Sequence, residues 1–330
     1  MRWTTRRDKN AEHDVENASS PASVLGDDSA ELESTATGRQ PGEPIVVGTP
    51  TPVFEPKAVD REFGKVPYRA DTVVDGWSSG AFTVRAASVR GYLHRYGGAP
   101  RQDDFAIAVD AERNRLTVAV ADGVSSARYS HIGSSTVVRY ATQWLDEPPE
   151  PLDDGGWDTL FKSAAWTLTQ QAATVLSLPQ ADAEQAEQML ATTLTCVVCT
   201  PIPEGGLSAV VAGVGDSGAW LLADGKFVPV LGGKQASASG LSSSAVVGLP
   251  RVPNTVTPVP VIVEPGQVLL VGTDGFGDPL GGGEGGVGAL FAALMGDRVP
   301  SQLEFAHALD FSRETFDDDR TLVAIWPRRS

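Results

Sequence analysis

Short apolar segments separated by tight turns fill most of the chain after about residue 80, and they constrain the fold more than any other feature. LTVAVA, TTLTCVVCT, LSAVVAGVG, GQVLLVG and TLVAIW have the length and the β-branched content of strands. Most neighbouring strands are joined by connections too short for a crossover, so they must pair antiparallel. We therefore expect antiparallel sheets rather than a doubly wound parallel sheet.

Helical periodicity is confined to an early pair and a late pair of segments. The early pair is GSSTVVRYATQWL and WDTLFKSAAWTLTQQAATVLSL. The late pair is VGALFAALM and SQLEFAHALDF, and the second of these opens with a capping box of Ser301 and Glu304. Two pairs of helices suit the outer faces of two stacked sheets. The predicted fold is α+β, a four-layer α-β-β-α sandwich of two antiparallel sheets flanked by helices.

Composition divides the 330 residues into a tail and one domain. Residues 1–78 are rich in Ser, Ala, Glu and Pro and have few large apolar residues, so we predict a disordered acidic tail and linker. Local docking of this segment through Val46, Val47 and Phe54 stays open. Residues 79–330 are predicted to form the folded domain. Within it, the small-residue loop at about 232–254 is too long for a simple connector.

Charge, hydropathy and cysteine content exclude several classes of function. The formal net charge is −16, which would repel nucleic acid and anionic lipid. No stretch approaches the roughly 18 apolar residues of a membrane helix. The first residues also lack the apolar region of a secretory signal. With two cysteines in the chain, we expect a cytoplasmic monomer without nucleic-acid or membrane partners.

Aspartates at the ends of apolar strands carry the functional signal. An Asp-Gly pair usually marks a hairpin turn, and Asp224-Gly225, with a strand on each side, fits that interpretation. Asp122 and Asp274 differ, because the chain after them (VSSARYS and FGDPLGGG) contains no returning strand. Asp318 stands just before the last strand. The end of one antiparallel strand and the start of its neighbour share an edge, so these carboxylates can converge.

A cluster of carboxylates at one sheet edge implies a cation. Asp216 follows the strand AVVAGVG, where a turn into GAWLL is an equally good interpretation. Converging carboxylates repel one another, and their pKa values rise unless a cation lies between them. Ligand sets made only of oxygen suit magnesium or manganese better than zinc.

The ordered motifs resemble the metal-dependent protein phosphatases of the type 2C serine/threonine family. The closest resemblance is to a bacterial branch whose first motif runs Gly-x-x-His and then Gln-Asp, here RGYLHRYGGAPRQDDF. VAVADGVSSARYSHIGSS, ATTLTC, GVGDSGAWLL, LLVGTDGFGD and DDRTLVAIW follow in family order. The resemblance implies two antiparallel sheets flanked by helices, a phosphorylated protein substrate and an opposing serine/threonine kinase. The loop at 232–254 matches the position of the family's flap beside the catalytic cleft, and a disordered insertion is the alternative interpretation.

The resemblance further implies two Mn²⁺ or Mg²⁺ ions and a weaker third one. Carried over position by position, Asp122 matches the residue that bridges two ions, and the Gly123 carbonyl matches a ligand of one of them. Asp274 and Asp318 match the ligands of the other ion. Asp103 matches a residue held near the pair through water, and Asp216 matches a ligand of the third ion. Two ions about 3.5–4 Å apart lower the pKa of a bridging water toward neutrality. The resulting hydroxide would attack phosphorus directly, so no covalent phosphoenzyme is needed.

The motifs give less support for the residues that contact phosphate and transfer a proton than for the metal ligands. Gly98 occupies the usual position of the family's phosphate-binding arginine, and Val124 the position where some members have a histidine. The remaining candidates for phosphate contact are Arg90, Arg95, Arg101 and Arg128, of which we select Arg101 as catalytic. As general acid, His94 is the first choice and His131 the second.

Two other functions stay open from the sequence. One is a catalytically weak or silent phosphatase-like module that binds phosphorylated partners, although retention of all the metal aspartates argues against it. The other is a phosphatase for a small phosphometabolite. Cys196 and Cys199 form a Cys-x-x-Cys, but they lie in a predicted strand, where their thiols point to opposite faces. We therefore expect no zinc or redox site there.

Overall fold

A computed structural model describes residues 44–52, 57–59, 69–148, 152–203, 205–232 and 247–328. The strands are β1 (Thr72–Ser79), β2 (Phe82–Val89), β3 (Asp104–Asp110), β4 (Arg115–Ala121), β5 (Leu194–Pro201), β6 (Leu207–Val214), β7 (Gly218–Ala223), β8 (Lys226–Leu231), β9 (Val259–Val263), β10 (Val268–Gly272) and β11 (Arg320–Pro327). The helices are α1 (Tyr92–Gly97), α2 (Ser130–Asp146), α3 (Asp154–Leu176), α4 (Ala183–Leu190), α5 (Asp274–Leu280), α6 (Gly286–Met295) and α7 (Gln302–Leu309).

The strands form two antiparallel sheets with a core between them. One sheet has the order β1-β2-β11-β10-β7-β8 and the other β3-β4-β5-β6-β9. Successive residues of a strand face opposite sides of the sheet. In β10, Leu269 and Val271 pack between the sheets, whereas Val268 and Leu270 pack under helices. Both faces of the central strands are therefore buried, which explains their continuous apolar sequences.

Helices cover the outer face of each sheet. Helices α2, α3 and α4 pack on the five-stranded sheet, and α5, α6 and α7 pack on the six-stranded sheet. The predicted α-β-β-α order of layers is confirmed. Helix α7 begins at the expected capping box, in which Ser301 accepts from the backbone of Glu304. None of the helices in the described ranges has the length and hydrophobicity needed to cross a bilayer.

Besides the short helix α1 in the first motif, which was also not predicted, two helices fall where the sequence predicts none. Helix α4 begins at a capping box of Asp182 and Gln185, a signal that the sequence contains. Helix α5 covers the first part of the FGDPLGGG region, which we expected to be irregular. It is short and contains Pro279. Both helices matter for function, because α4 forms one wall of the main cleft and α5 begins with Asp274.

The folded part of the chain begins before the predicted boundary at residue 79. Strand β1, in the segment assigned to the linker, pairs with β2 along its whole length. Farther upstream, the Val47 N–H donates to the Ser312 carbonyl at 2.9 Å, and the Val47 side chain joins the core under α6. Docking is thus seen for Val47, while Val46 is exposed. Phe54, residues 1–43 and residues 233–246 of the flap-like loop lie outside the described residues.

The two cysteines of β5 lie on opposite faces of the sheet, as predicted. Cys196 packs under the helices and Cys199 packs between the sheets. Both thiols are free and buried, and burial raises the pKa of Cys199 to about 12. A thiol this buried and this weakly acidic is a structural residue rather than a metal ligand or a nucleophile.

Candidate metal centre

Strand register in the five-stranded sheet places Asp103 and Asp122 at one rim. Asp104, at the start of β3, pairs with Ala121 at the end of β4. The residue before β3 and the residue after β4 are therefore neighbours at the same edge. This is the convergence that the sequence predicts for antiparallel strands.

A second rim, at the edge of the six-stranded sheet, carries three more aspartates. Gly272, at the end of β10, pairs with Gly218 at the start of β7 and with Leu322 in β11. Asp274 therefore emerges beside Asp216, which precedes β7, and beside Asp318, which precedes β11. The structure thus brings together all five aspartates selected from the sequence.

A cavity of about 670 Å³ opens where the two rims meet. Its lining includes Asp122, Gly123, Asp216, Asp274 and Asp318, and we call it the acidic cleft. Asp103 lies behind this surface and is only 1% exposed. At Gly123 a Cβ atom would lie 2.8 Å from the Cβ atom of Ser130, so a side chain has no room there. Close packing at Gly123 and the pairing of the strands therefore hold the backbone that forms the floor of the cleft.

Hydroxyl groups from the ATTLTC segment hold Asp122 in place. The Asp122 N–H donates to Thr193 Oγ1 at 2.9 Å, and the Asp122 carbonyl accepts from Thr192 Oγ1 at 2.7 Å. Thr193 Oγ1 lies 2.7 Å from Ser217 Oγ, next to Asp216. These hydrogen bonds connect two strand ends of different sheets. They give the ATTLTC motif a physical role that the sequence alone did not reveal.

A second set of hydroxyl groups holds Asp103. Thr273 Oγ1 donates to Asp103 Oδ2 at 2.7 Å and accepts from the Thr321 N–H at 3.0 Å. Thr321 Oγ1 in turn donates to Ser88 Oγ at 2.6 Å. The segment before Asp274, the start of β11 and the first motif are therefore joined through buried side chains.

The electrostatics of the rim fit a bound cation. Burial, reinforced by neighbouring carboxylates, raises the pKa of Asp103 and of Asp122 well above the usual range. Burial raises the pKa of Asp274 to about 6. Asp103 Oδ1 and Asp274 Oδ1 are buried and have no hydrogen-bond partner among the described residues. Buried, unpaired carboxylate oxygens are destabilising unless a positive charge compensates them, and a divalent ion with oxygen ligands does so.

A family model described as Protein phosphatase 2C matches residues 90–304 of this chain. The chain belongs to the protein phosphatase 2C family. The predicted enzyme class is thereby confirmed: the chain is a metal-dependent serine/threonine protein phosphatase that uses Mn²⁺ or Mg²⁺. The matched range ends before Asp318. The evidence that Asp318 belongs to the site is therefore the pairing of β11 with β10, which brings Asp318 beside Asp274.

Solved structures confirm the fold of the phosphatase at low sequence identity. The S. agalactiae serine/threonine phosphatase is 13% identical with a TM-score of 0.55, over 75% of this chain and 100% of that chain. The catalytic domain of the serine/threonine phosphatase PstP, solved with two manganese ions, is 20% identical with a TM-score of 0.50, over 76% and 99%. RsbX, solved with magnesium, is 14% identical with a TM-score of 0.50, over 78% and 100%. No curated protein sequence matches this chain.

Asp319 is a site residue of the phosphatase that the sequence analysis missed. Its carboxylate accepts from the Gly91 N–H at 2.6 Å and from the Gln102 N–H at 2.5 Å. Its Oδ1 atom also lies 3.0 Å from His94 Nδ1. Burial opposes ionisation, but these partners hold the pKa of Asp319 below its ordinary value. Asp319 thus fastens the first motif to the strand that carries Asp318.

His94 lines a second cavity, of about 370 Å³, that we call the side pocket. Its imidazole is 11% exposed. Burial alone would lower the pKa of His94, but Asp319 and other nearby carboxylates raise it above the ordinary value. His131 differs: burial, with a contribution from Arg69, lowers its pKa to about 4. His131 is therefore neutral at pH 7 and unsuited to donate a proton as a general acid.

Three of the four arginines considered for phosphate contact are committed elsewhere. Arg101 is 2% exposed, and its guanidinium donates to the Ala70 carbonyl at 3.2 Å and to the Asp103 carbonyl at 2.6 Å. That position supports the backbone behind the cleft and does not favour the predicted contact with phosphate. Arg90 pairs with Asp71, and Arg95 pairs with Asp310. Arg128 is exposed and lines the side pocket.

The cleft wall contains an arginine that no motif indicated. Arg251 lies near the C-terminal end of the flap-like loop and lines the acidic cleft. Its guanidinium pairs with both carboxylate oxygens of Glu187 on α4, at 2.7 Å each. The pair closes one wall of the cleft, and its charge is balanced. Helix α4 was not predicted, so the proximity of Glu187 and Arg251 was not predicted either.

Proposed function

We propose that the acidic cleft hydrolyses phosphoserine and phosphothreonine esters in proteins with two Mn²⁺ or Mg²⁺ ions. One observation carries this proposal: carboxylates from four separate chain segments converge in one cleft. The pKa values of Asp122, Asp274 and Asp318 are raised, and one buried oxygen of Asp274 has no hydrogen-bond partner among the described residues. Ions of this kind, when bound, supply an acidified water and neutralise charge on the phosphoryl oxygens. The chain's own residues must then hold the ions, orient the ester and move one proton.

The lining of the acidic cleft supports the metal ligands that the family resemblance implies. Asp122, the Gly123 carbonyl, Asp274 and Asp318 would together hold the two ions. Asp216, which lines the same cleft, would serve a weaker third ion. Asp103 lies one layer deeper, so it would act through water or by orienting Asp122. Its hydrogen bond from Thr273 keeps one oxygen fixed and leaves the other available.

His94 is the residue we propose as proton donor to the leaving serine or threonine oxygen. Asp319 contacts Nδ1, so Nε2 is the ring atom left to meet a ligand in the side pocket. A neighbouring carboxylate favours the imidazolium form, which carries the proton to be donated. In this scheme Asp319 is a positioning residue and does not contact the substrate.

Partners and location are proposed on general grounds. A phosphoprotein substrate implies an opposing serine/threonine kinase. A site whose proposed ligands all come from one chain supports a monomer. The two buried, unpaired thiols agree with a reducing, cytoplasmic environment.

The proposed function is tested with p-nitrophenyl phosphate, phosphoserine and phosphothreonine peptides, and a panel of small phosphometabolites. We expect turnover of the peptides with Mn²⁺ or Mg²⁺ and its loss on chelation, because the carboxylates alone cannot activate water at neutral pH. Chelated protein with the metal restored is the matched control. Efficient turnover of metabolites without turnover of phosphopeptides would contradict the assignment of substrate. Inactivity under every metal condition would favour a binding module.

A further inference from the structure

The side pocket adjoins the acidic cleft but differs from it in charge. Its lining includes His94, Gln102, Ser125, Arg128 and Tyr129, with no carboxylate among the lining residues. Ser125 lines both cavities, so they meet at that residue. A peptide whose phosphoryl group occupies the cleft can therefore extend into the side pocket.

Arg128 is an uncompensated positive charge beside an acidic site. Its guanidinium lies 5.3 Å from the centroid of the Tyr129 ring, and it has no carboxylate partner among the described residues. Arg251 across the cleft has its charge neutralised by Glu187. In a chain of net charge −16, Arg128 is thus positioned to attract an anion where most of the surface would repel one.

The loop that carries Arg128 is fixed by its backbone. The Arg128 N–H donates to the Gln188 carbonyl at 3.1 Å, and the Tyr129 N–H donates to the Met189 carbonyl at 2.7 Å. Both acceptors lie in helix α4. Stacking on Tyr129 further restricts the guanidinium. A group ordered in this way loses less conformational entropy when it binds a ligand.

Separation of the two cavities indicates what Arg128 binds. The phosphoryl group to be hydrolysed must lie among the aspartates of the acidic cleft, and Arg128 does not line that cleft. We propose that the side pocket is a subsite for a second anionic group of the substrate. The group would be a carboxylate or a second phosphate on a residue adjacent to the phosphorylated serine or threonine. This inference rests on the proposed function and names its preferred substrate class: acidic or multiply phosphorylated segments.

The test compares six phosphopeptides that differ only beside the phosphorylated residue: glutamine, glutamate or a second phosphoserine stands on its N-terminal side or on its C-terminal side. For the wild-type phosphatase with Mn²⁺, we expect kcat/KM for the better-placed anionic peptides to exceed that for the glutamine peptide by about five-fold, as suits an exposed ion pair. The glutamate and phosphoserine arms distinguish a carboxylate from a phosphate as the preferred group. The preference should weaken as ionic strength rises.

Substitutions of Arg128 test whether the side pocket causes the preference for anionic peptides. Arg128→Ala should bring the ratio of anionic to neutral kcat/KM close to one, and Arg128→Lys should retain part of the preference. Arg139→Ala removes an exposed arginine of α2 that lines neither cavity, so it should keep the wild-type ratio. Because Arg128 is exposed, folding of its variants is not at risk, and thermal unfolding would verify this.

Two outcomes would overturn the subsite. One is equal kcat/KM for all six peptides in the wild type although they are hydrolysed rapidly, and the other is an unchanged preference in Arg128→Ala. Both leave the proposed function intact, because the peptides are still hydrolysed in a metal-dependent way. Absence of turnover for every peptide would overturn the proposed function and the subsite together.

Discussion

Replacing Asp274 with asparagine is expected to lower kcat/KM for phosphopeptide hydrolysis by about 10³-fold at saturating Mn²⁺. The substitution keeps the shape of the side chain and removes the negative charge. The site then holds its ion more weakly and stabilises less of the charge that develops during phosphoryl transfer. Steady-state kinetics across a Mn²⁺ titration separates the loss of affinity from the loss of rate.

The same substitution should make the metal-free protein more stable at neutral pH. The folded-state pKa of Asp274 is about 6, above the value of roughly 3.9 for an unfolded chain. The wild type therefore loses stability as pH rises through this interval, because its buried carboxylate must ionise without a partner. The variant avoids that loss. In the presence of EDTA, we expect the free energy of unfolding of the variant to exceed that of the wild type by more at pH 7.5 than at pH 5. Denaturant unfolding at the two pH values measures this difference.

Asp224→Asn is the matched control for both measurements. Asp224 also precedes a glycine, but it lies in the β7–β8 hairpin at a positive φ of 51°, where asparagine is well tolerated. Its activity and its Mn²⁺ response should match those of the wild type. A fully active Asp274→Asn, or one destabilised in EDTA at pH 7.5, would contradict the role assigned to Asp274.

Replacing Gly275 with alanine is expected to destabilise the protein by about 3 kcal/mol and to abolish most of its activity. A Cβ at this position would lie 1.9 Å from the Asp319 carbonyl oxygen, which belongs to the backbone and cannot rotate away. Gly275 lies in helix α5, where alanine would otherwise gain about 1 kcal/mol. The clash outweighs that gain, and relieving it must separate Asp274 from Asp318. Urea unfolding and Mn²⁺-dependent kinetics measure the two effects.

Gly282→Ala provides the comparison for this substitution. Gly282 follows the same helix, and a Cβ there would have no neighbour within 4 Å. Its stability should change by no more than about 0.5 kcal/mol, with activity preserved. If Gly275→Ala were as stable and as active as Gly282→Ala, the close approach of α5 to the start of β11 would be wrong.

Much of the fold was predictable because its strands and helices obey simple periodicities. The strands are apolar on both faces since each sheet is covered on both sides, and this produces unbroken runs such as QVLLVG. The capping box at Ser301 marked the start of α7 correctly. Antiparallel pairing predicted that strand ends and strand starts share an edge, as Asp274 and Asp318 do. Stacking of the two sheets then brings Asp122, at the rim of the other sheet, into the same cleft.

The positions that the sequence could not settle depend on packing between distant segments. Asp318 and Asp319 are adjacent and chemically identical, and only the fold turns one to the cleft and the other to the Gly91 and Gln102 backbone. Arg101 was selected for contact with phosphate, yet the burial of its segment directs its guanidinium to carbonyl groups behind the site. Arg251 joins the cleft wall through an ion pair with a helix that was not predicted.

Manganese anomalous diffraction from a crystal soaked in Mn²⁺ tests the central claim most directly. We expect two strong peaks in the acidic cleft, both within coordination distance of Asp122 and one of them also bound by Asp274 and Asp318. Carboxyl groups from these three residues standing apart, with no manganese between them, would contradict the account.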